Sequence, residues 1–231
     1  MPTIKNNISS IQVRLQQALR DVGRSPDEVL LLAVSKTRST KQINQVLQAG
    51  LINFGENYLQ EAIEKIDQFL ATGLDWHFIG PLQSNKTRLA AEYFSWIHSV
   101  DRLKIAQRLS AQRPTTMKPL NLCLQINIDH EPTKSGFSPE QALAAASEIA
   151  ELPNISLRGL MAIPRSRASL AEQRVPFARL RELKDQINTR LDNSLKLDTL
   201  SMGMSGDMEA AILEGATIVR IGTDIFGPRD K

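Results

Sequence analysis

The chain has 231 residues, of which 42% are hydrophobic and 23% are charged, a composition typical of folded globular proteins and unlike that of disordered chains. Its 28 basic and 25 acidic side chains leave a formal charge of +3 without a basic block, so nucleic-acid binding is not indicated. The longest apolar run, residues 29–34, is too short for a membrane helix, and the N-terminus lacks a signal-peptide core, so we expect a cytoplasmic protein with no membrane partner.

The first predicted element is an amphipathic helix that ends before Gly23. Its apolar residues recur at steps of three and four, as on one face of a helix; they are Ile4, Ile8, Ile11, Leu15, Leu19 and Val22. The run 29–34 then predicts a strand covered on both faces, as in a parallel sheet. A second helix begins at Thr40 and ends at Gly50, a typical position for a left-handed C-cap.

Strands and helices alternate through the rest of the chain. Strands are predicted at 29–34, 52–54, 76–79, 96–100, 120–128, 157–162, 199–204 and 218–221. Further helices are predicted at 58–69, 85–93, 102–110, 139–151, 170–191 and 207–214. Eight strand-helix units in 231 residues fit a single α/β domain over residues 1–231, a (β/α)8 TIM barrel with an extra N-terminal helix.

The cysteine and histidine content limits the chemistry. Cys123 is the only cysteine, so a disulfide within the chain and a cysteine-rich zinc site are excluded, and Cys123 is interpreted as a small buried hydrophobe. His77, His98 and His130 lack metal-ligand spacing, so no metal site is predicted. Demanding chemistry would therefore use an organic cofactor or none.

Lys36 is the leading candidate for chemistry, because active sites of such barrels lie at the C-terminal ends of the strands and six apolar residues precede Ser35 and Lys36. Partial desolvation there would favour the neutral, nucleophilic amine, which forms imines with carbonyl compounds. The alternative is a lysine that only extends into solvent from the end of a strand.

Two loops at the same end of the barrel suit a phosphate. The segment 201–207 passes from strand to helix through small residues that include Ser205 and Gly206, while Gly222 and Thr223 follow the last strand. Alternatively, Ser205 is an ordinary helix N-cap.

Arg220 interrupts an apolar strand two residues before Gly222, on the same face. It would either form a salt bridge with Asp207 or Glu209, or direct its donors at a ligand. His77 is either a hydrogen-bonded core histidine or a ligand contact.

Seven sequence motifs occur in the same order as in one protein family. They are residues 33–37, 54–58, 76–86, 134–137, 159–164, 200–207 and 219–223. Together they resemble the pyridoxal phosphate homeostasis protein family of the YggS/PROSC type, over almost the whole chain. The resemblance implies a pyridoxal 5'-phosphate (PLP) barrel of the alanine racemase N-terminal type, PLP fold type III.

The resemblance also assigns roles to site residues. It implies a Schiff base between PLP and Lys36, and an arginine, Arg220, facing the pyridine nitrogen. Ser205, Gly206, Gly222 and Thr223 would hold the phosphate, and Asn57 and His77 would line the cofactor pocket. Met202 is a further predicted cofactor-site residue. Lys134, after the fifth strand, is predicted to reach the mouth of the barrel and contact an anionic ligand; the alternative is an exposed loop lysine.

Family members are described as lacking a clear catalytic activity and as acting in vitamin B6 and amino-acid or keto-acid balance. The expected partners are therefore PLP, amino or keto acids and PLP-accepting apoenzymes, and the expected state is a monomer. The related racemases add a second domain with a catalytic tyrosine, whereas this chain offers only Tyr58 and Tyr93, both on predicted helices. Two enzymatic alternatives remain, a PLP-dependent amino-acid racemase using Lys36 and a Schiff-base aldolase without a cofactor.

Overall fold

Residues 3–228 are described by the computed structural model, and they form a closed barrel of eight parallel strands in sequence order. The strands are β1 (Leu30–Val34), β2 (Asn53–Glu56), β3 (Asp75–Phe78), β4 (Trp96–Val100), β5 (Leu120–Ile126), β6 (Ile155–Ala162), β7 (Thr199–Ser201) and β8 (Ile218–Ile221). The predicted (β/α)8 fold class and the position of every strand are confirmed.

Helices follow the strands, and an additional one precedes them. Within residues 3–228 they are α1 (Ile4–Asp21), α2 (Thr40–Gln48), α3 (Leu59–Gln68), α4 (Thr87–Tyr93), α5 (Leu103–Gln112), α6 (Pro139–Ala150), α7 (Leu170–Asn188), α8 (Met208–Leu213) and α9 (Thr223–Phe226). None of these is both long and apolar enough to cross a membrane.

The barrel closes through β1, which pairs with β2 on one side and β8 on the other. Its side chains alternate between two environments, as in any strand. Leu31 and Ala33 pack into the hydrophobic layer between sheet and helices, whereas Val34 and Lys36 face the C-terminal mouth of the barrel. Both faces of β1 are therefore covered, which explains its continuous apolar sequence.

Helix α1 packs along the outside of the barrel against α8, α9 and α2. The predicted apolar stripe is the buried face, with Ile8, Ile11 and Leu19 almost fully enclosed. The hydroxyl of Thr3 accepts a hydrogen bond from the Asn6 amide and caps the first turn. The extra N-terminal helix thus lies beside the last two helices of the chain.

The largest boundary difference among the strands concerns β7, predicted to run to residue 204 but ending at Ser201. Gly203 has φ of 93°, in the left-handed region, and a Cβ there would lie 2.6 Å from the Cβ of Ala211. The glycine thus lets the chain turn sharply against α8 after a short strand. This turn decides which side chains of the segment reach the mouth of the barrel.

Candidate functional site

A cavity of about 330 Å³ opens at the C-terminal ends of the strands. Six of the eight strands or the loops directly after them contribute to its wall. The lining residues are Val34, Lys36, Asn57, Ile79, Ile163, Met204, Ser205, Gly206, Arg220, Gly222 and Thr223. The structure thus brings together seven of the nine predicted cofactor-site residues, the exceptions being His77 and Met202.

Lys36 is partly buried and stands where β1 gives way to the turn before α2. Both of its neighbours are held by carboxylates. The fully buried Ser35 donates from Oγ to Glu56 Oε1 at 2.6 Å, and the Thr37 amide donates to Glu61 Oε1 at 2.6 Å. Thr37 has φ of 62°, an uncommon left-handed conformation for threonine. The backbone that carries Lys36 is therefore fixed on both sides.

A buried lysine joins these two carboxylates beneath the turn. Lys65, on α3, donates from Nζ to Glu56 Oε1 at 2.8 Å, to Glu61 Oε1 at 2.6 Å and to the Ser35 carbonyl at 2.8 Å. Burial raises the pKa of Glu56, and the charge of Lys65 opposes that rise. Sequence reasoning missed Lys65, whose only local signal is its i,i+4 spacing from Glu61.

The loops after β7 and β8 meet at the wall of the cavity next to β1, with which β8 is paired. Ser205 Oγ accepts a hydrogen bond of 3.4 Å from the Asp224 amide, which links the two loops. Ser205 is not the N-cap of α8; Asp207 holds that position, and its carboxylate accepts from the Met204 amide at 2.6 Å. A Cβ at Gly206 would meet nothing within 4 Å, so its backbone borders open space.

Two acidic residues beside these loops, Glu209 and Asp224, are paired with an arginine of α1. Arg14 donates to Glu209 at 2.7 Å, to Asp224 at 2.8 Å and to the Ser205 carbonyl at 3.2 Å. Burial works against ionisation, but the hydrogen bond from Arg14 holds the pKa of Glu209 below its ordinary value. The carboxylates of Glu209 and Asp224, which would repel an anion in the cavity, are thus each paired with Arg14, a role that no local pattern signalled.

Arg220 lies in the wall of the cavity with only 4% of its surface exposed. It forms no ion pair with Asp207 or Glu209. Its Nη1 donates to the carbonyl and the hydroxyl of Ser201, and its Nη2 donates to the Ala162 carbonyl at 2.9 Å. Burial lowers the pKa of Arg220 to about 10, so the side chain is still cationic at neutral pH.

Asn57 contributes an unsatisfied polar atom. Its Oδ1 is buried and has no hydrogen-bond partner among residues 3–228, and the side chain lines the cavity. Because buried polar groups are nearly always paired, such an atom at a cavity wall points to a ligand.

The structure places His77 and Met202 away from the cavity wall. His77 is fully buried inside the barrel one layer below the mouth, where its ring stacks on Trp96 and its Nδ1 lies 2.9 Å from His98 Nε2. Met202 is buried in the hydrophobic core between sheet and helices, and Met204 lines the cavity instead.

A second cavity of about 300 Å³ adjoins the first and shares Asn57, Ile79 and Ile163 with it. Lys134 lines this neighbouring cavity. Its Nζ donates to the Ile163 carbonyl at 3.1 Å and lies 2.6 Å from Glu131 Oε1. The lysine is therefore beside the mouth of the barrel, as predicted, but in the adjoining space.

Other candidate groups do not form a reactive cluster. Cys123 is fully buried inside the barrel, and burial raises the pKa of its thiol to about 12. Tyr58 is 54% exposed at the start of α3. No group of three or more His, Cys, Asp or Glu within the described residues is arranged to hold a metal ion.

Comparison with known proteins identifies the family and the relatives of this chain. The family model of the alanine racemase N-terminal domain matches residues 7–230. The pyridoxal phosphate homeostasis protein of Pseudomonas aeruginosa is 56% identical over 230 residues, covering 100% of this chain and 97% of the relative.

Solved structures show the same likeness. PipY of Synechococcus elongatus, solved with PLP bound, is 36% identical with a TM-score of 0.84, covering 97% of this chain and 100% of PipY. Alanine racemase from Corynebacterium glutamicum has a TM-score of 0.74 at 17% identity, covering 98% of this chain and 61% of the racemase. This last likeness is one of fold alone.

Proposed function

We propose that this chain, which belongs to the alanine racemase N-terminal domain family and within it to the pyridoxal phosphate homeostasis proteins, binds PLP. The cofactor would lie in the cavity at the barrel mouth. Lys36 would hold the cofactor covalently as a Schiff base. The protein would act in vitamin B6 and amino-acid or keto-acid balance as a cofactor-binding protein without clear catalytic activity.

The residues of the cavity fit such a cofactor from end to end. Lys36 supplies an amine, and the loops that contain Ser205 and Gly222, on the side of the cavity next to β1, can receive a phosphate. Arg220 supplies donors in the wall of the same cavity, and the buried Oδ1 of Asn57 lacks a partner that a ligand would provide. This convergence on one cavity carries the proposal.

Arg220 also supports the proposed lack of clear catalytic activity. Arginine only donates hydrogen bonds, so it would leave the pyridine nitrogen unprotonated. Bound PLP acts as an electron sink for carbanions, and that sink is weaker when the nitrogen is unprotonated. The buried, cationic Arg220 would therefore disfavour carbanion chemistry on the bound cofactor.

The proposal also covers the location, the oligomeric state and the partners of the protein. We place it in the cytoplasm as a monomer, with amino acids, keto acids and cofactor-accepting apoenzymes as its partners. The support is the similarity over full length to named homeostasis proteins. Lys134, beside the mouth, would contact an anionic ligand from the neighbouring cavity.

The direct test is an absorbance titration of the purified protein with PLP. We expect an imine band in the visible range that saturates with added cofactor. Lys36→Ala should abolish the band, whereas Lys41→Ala, an exposed lysine on the next helix, should leave it unchanged. A Lys36→Ala protein that kept the band would contradict the assignment.

Isotope exchange tests the proposed lack of catalytic activity. Incubation of the PLP-loaded protein with a panel of amino acids in D2O should give α-proton exchange near the background without protein. Turnover near a typical enzyme rate of about 10 per second would instead identify a racemase-like enzyme.

A further inference from the structure

A row of polar side chains crosses the barrel interior from the cavity towards the opposite end. Arg220 Nη1 donates to Ser201 Oγ at 2.8 Å, and Ser201 Oγ lies 2.7 Å from His98 Nδ1. His98 Nε2 is 2.9 Å from His77 Nδ1, and His77 Nε2 is 3.6 Å from Asp75 Oδ2. The last distance is a charge contact, too long for a hydrogen bond. We call these five residues the interior chain.

The three central members, Ser201, His98 and His77, are fully buried. Burial lowers the pKa of both histidines, His98 the more strongly, so both imidazoles are neutral. A neutral imidazole has one donor and one acceptor nitrogen, so the position of one proton in the chain constrains the next. Asp75, at the first residue of β3, has 36% of its side chain exposed.

The contacts select one arrangement of protons. The carboxylate of Asp75 favours an N–H over a lone pair at His77 Nε2, which leaves His77 Nδ1 as an acceptor. His98 Nε2 must then donate to His77, so His98 Nδ1 accepts from the Ser201 hydroxyl. The hydroxyl proton of Ser201 is thereby turned away from Arg220, and its oxygen is available to accept from the guanidinium.

The reverse arrangement is less favourable at both ends. It would direct the lone pair of His77 Nε2 at the Asp75 carboxylate. It would also make His98 Nδ1 a second donor to Ser201 Oγ beside Arg220, and leave the serine proton without the acceptor that it has in the first arrangement.

We propose that Asp75 is a positioning residue for the cavity, setting the tautomers of His77 and His98 and, through the Ser201 hydroxyl, the orientation of Arg220. This inference rests on the proposed function, in which Arg220 faces the cofactor ring. The bonds to Ser201 and Ala162 use three of the five guanidinium N–H groups, so their geometry determines where the remaining donors point.

The first measurement requires no cofactor. The 15N chemical shifts of the histidine rings in the cofactor-free protein report which nitrogen carries each proton. We expect Nε2–H on both His77 and His98, and a redistribution towards Nδ1–H in Asp75→Asn, whose amide is nearly the same size. Asp27→Asn is the control, because Asp27 is an exposed carboxylate in the turn before β1. Unchanged shifts in Asp75→Asn would overturn the proposal.

The second measurement is the Kd for PLP, with thermal unfolding to show that each variant is folded. Asp75→Asn should weaken binding about three- to tenfold, the range expected for one hydrogen bond. Ser201→Ala cuts the link between His98 and Arg220, so it should weaken binding by a similar factor.

The double variant Asp75→Asn/Ser201→Ala should bind PLP only slightly more weakly than either single variant, because both changes interrupt the same interior chain. Fully additive losses, or an Asp75→Asn Kd equal to that of Asp27→Asn, would contradict the proposal. Failure of the unaltered protein to bind PLP would instead overturn the proposed function, and the 15N result would still decide the proton arrangement.

Discussion

Gly80 lies so close to Asn57 that the loops after β2 and β3 are held at a fixed separation. A Cβ at position 80 would lie only 2.2 Å from the Asn57 carbonyl oxygen, a backbone atom that cannot move aside without moving the loop. Because Asn57 borders both cavities, the absence of a side chain at position 80 sets part of the shape of the candidate site.

Gly80→Ala should therefore weaken PLP binding about tenfold and destabilise the fold by about 1–3 kcal/mol, the usual cost of overpacking. The measurements are the Kd for PLP and urea unfolding. Gly159→Ala is the matched control, since a Cβ there would clash with the Thr199 carbonyl oxygen and neither residue lines either cavity. It should lower stability without a comparable change in Kd; equal changes in Kd for both variants would contradict this role of Gly80.

Residue-level prediction from sequence succeeded where strand ends are marked by polar residues. Lys36 and Arg220 were identified because they end or interrupt apolar runs, and both line the cavity. The contribution of Met204 was missed because the left-handed turn at Gly203 breaks the two-residue alternation. His77 does face the barrel interior, but one layer too deep, and strand depth is not encoded in local periodicity.

At the scale of elements, α1 is tied to the loops of the candidate phosphate site. Arg14 reaches the first turns of both α8 and α9 through Glu209 and Asp224, and it also holds the Ser205 carbonyl. The amphipathic pattern predicted the helix and its buried face. It gave no indication of this contact, because Arg14 and Glu209 are 195 residues apart in sequence.

Arg14→Ala should weaken PLP binding about three- to tenfold, because it leaves two carboxylates unpaired near the phosphate. The loss should be larger at low ionic strength, where unpaired charges are less screened. A PLP titration at two salt concentrations measures both effects. Arg20→Ala, on the same helix, should leave the Kd unchanged, because the Arg20 side chain is hydrogen-bonded only to Gln17 within the described structure. An Arg14→Ala protein with unaltered affinity would rule out this contribution.

At the scale of the whole molecule, the alternation of strands and helices was enough to predict the closed barrel and its C-terminal mouth. The alternation could not predict which hydrogen bonds link the loops around the mouth to one another. Asp129, after β5, accepts hydrogen bonds from the Arg165 amide at 2.7 Å and from Arg167 Nη2 at 2.6 Å, both after β6. Such pairs depend on the folded arrangement of distant segments.

Asp129→Asn should lower the free energy of unfolding by about 1.5–3 kcal/mol at pH 7, the scale of a charge-assisted hydrogen bond. Burial opposes ionisation, but Arg167 holds the pKa of Asp129 below its ordinary value of 3.8. The stabilisation is therefore present above pH 3.8 and is lost as the pH falls through the lower pKa of the folded state.

Urea unfolding of both proteins across this pH range measures the effect, with the exposed Asp67→Asn as control. A difference between Asp129→Asn and the unaltered protein that persisted undiminished in strong acid would contradict the assignment.

The covalent attachment of PLP to Lys36 is tested most directly by borohydride reduction of the PLP-loaded protein, followed by mass spectrometry of the intact chain and its peptides. We predict a single reduced adduct, located on the peptide that contains Lys36. An intact mass without the adduct, or an adduct confined to other lysines, would contradict the central claim.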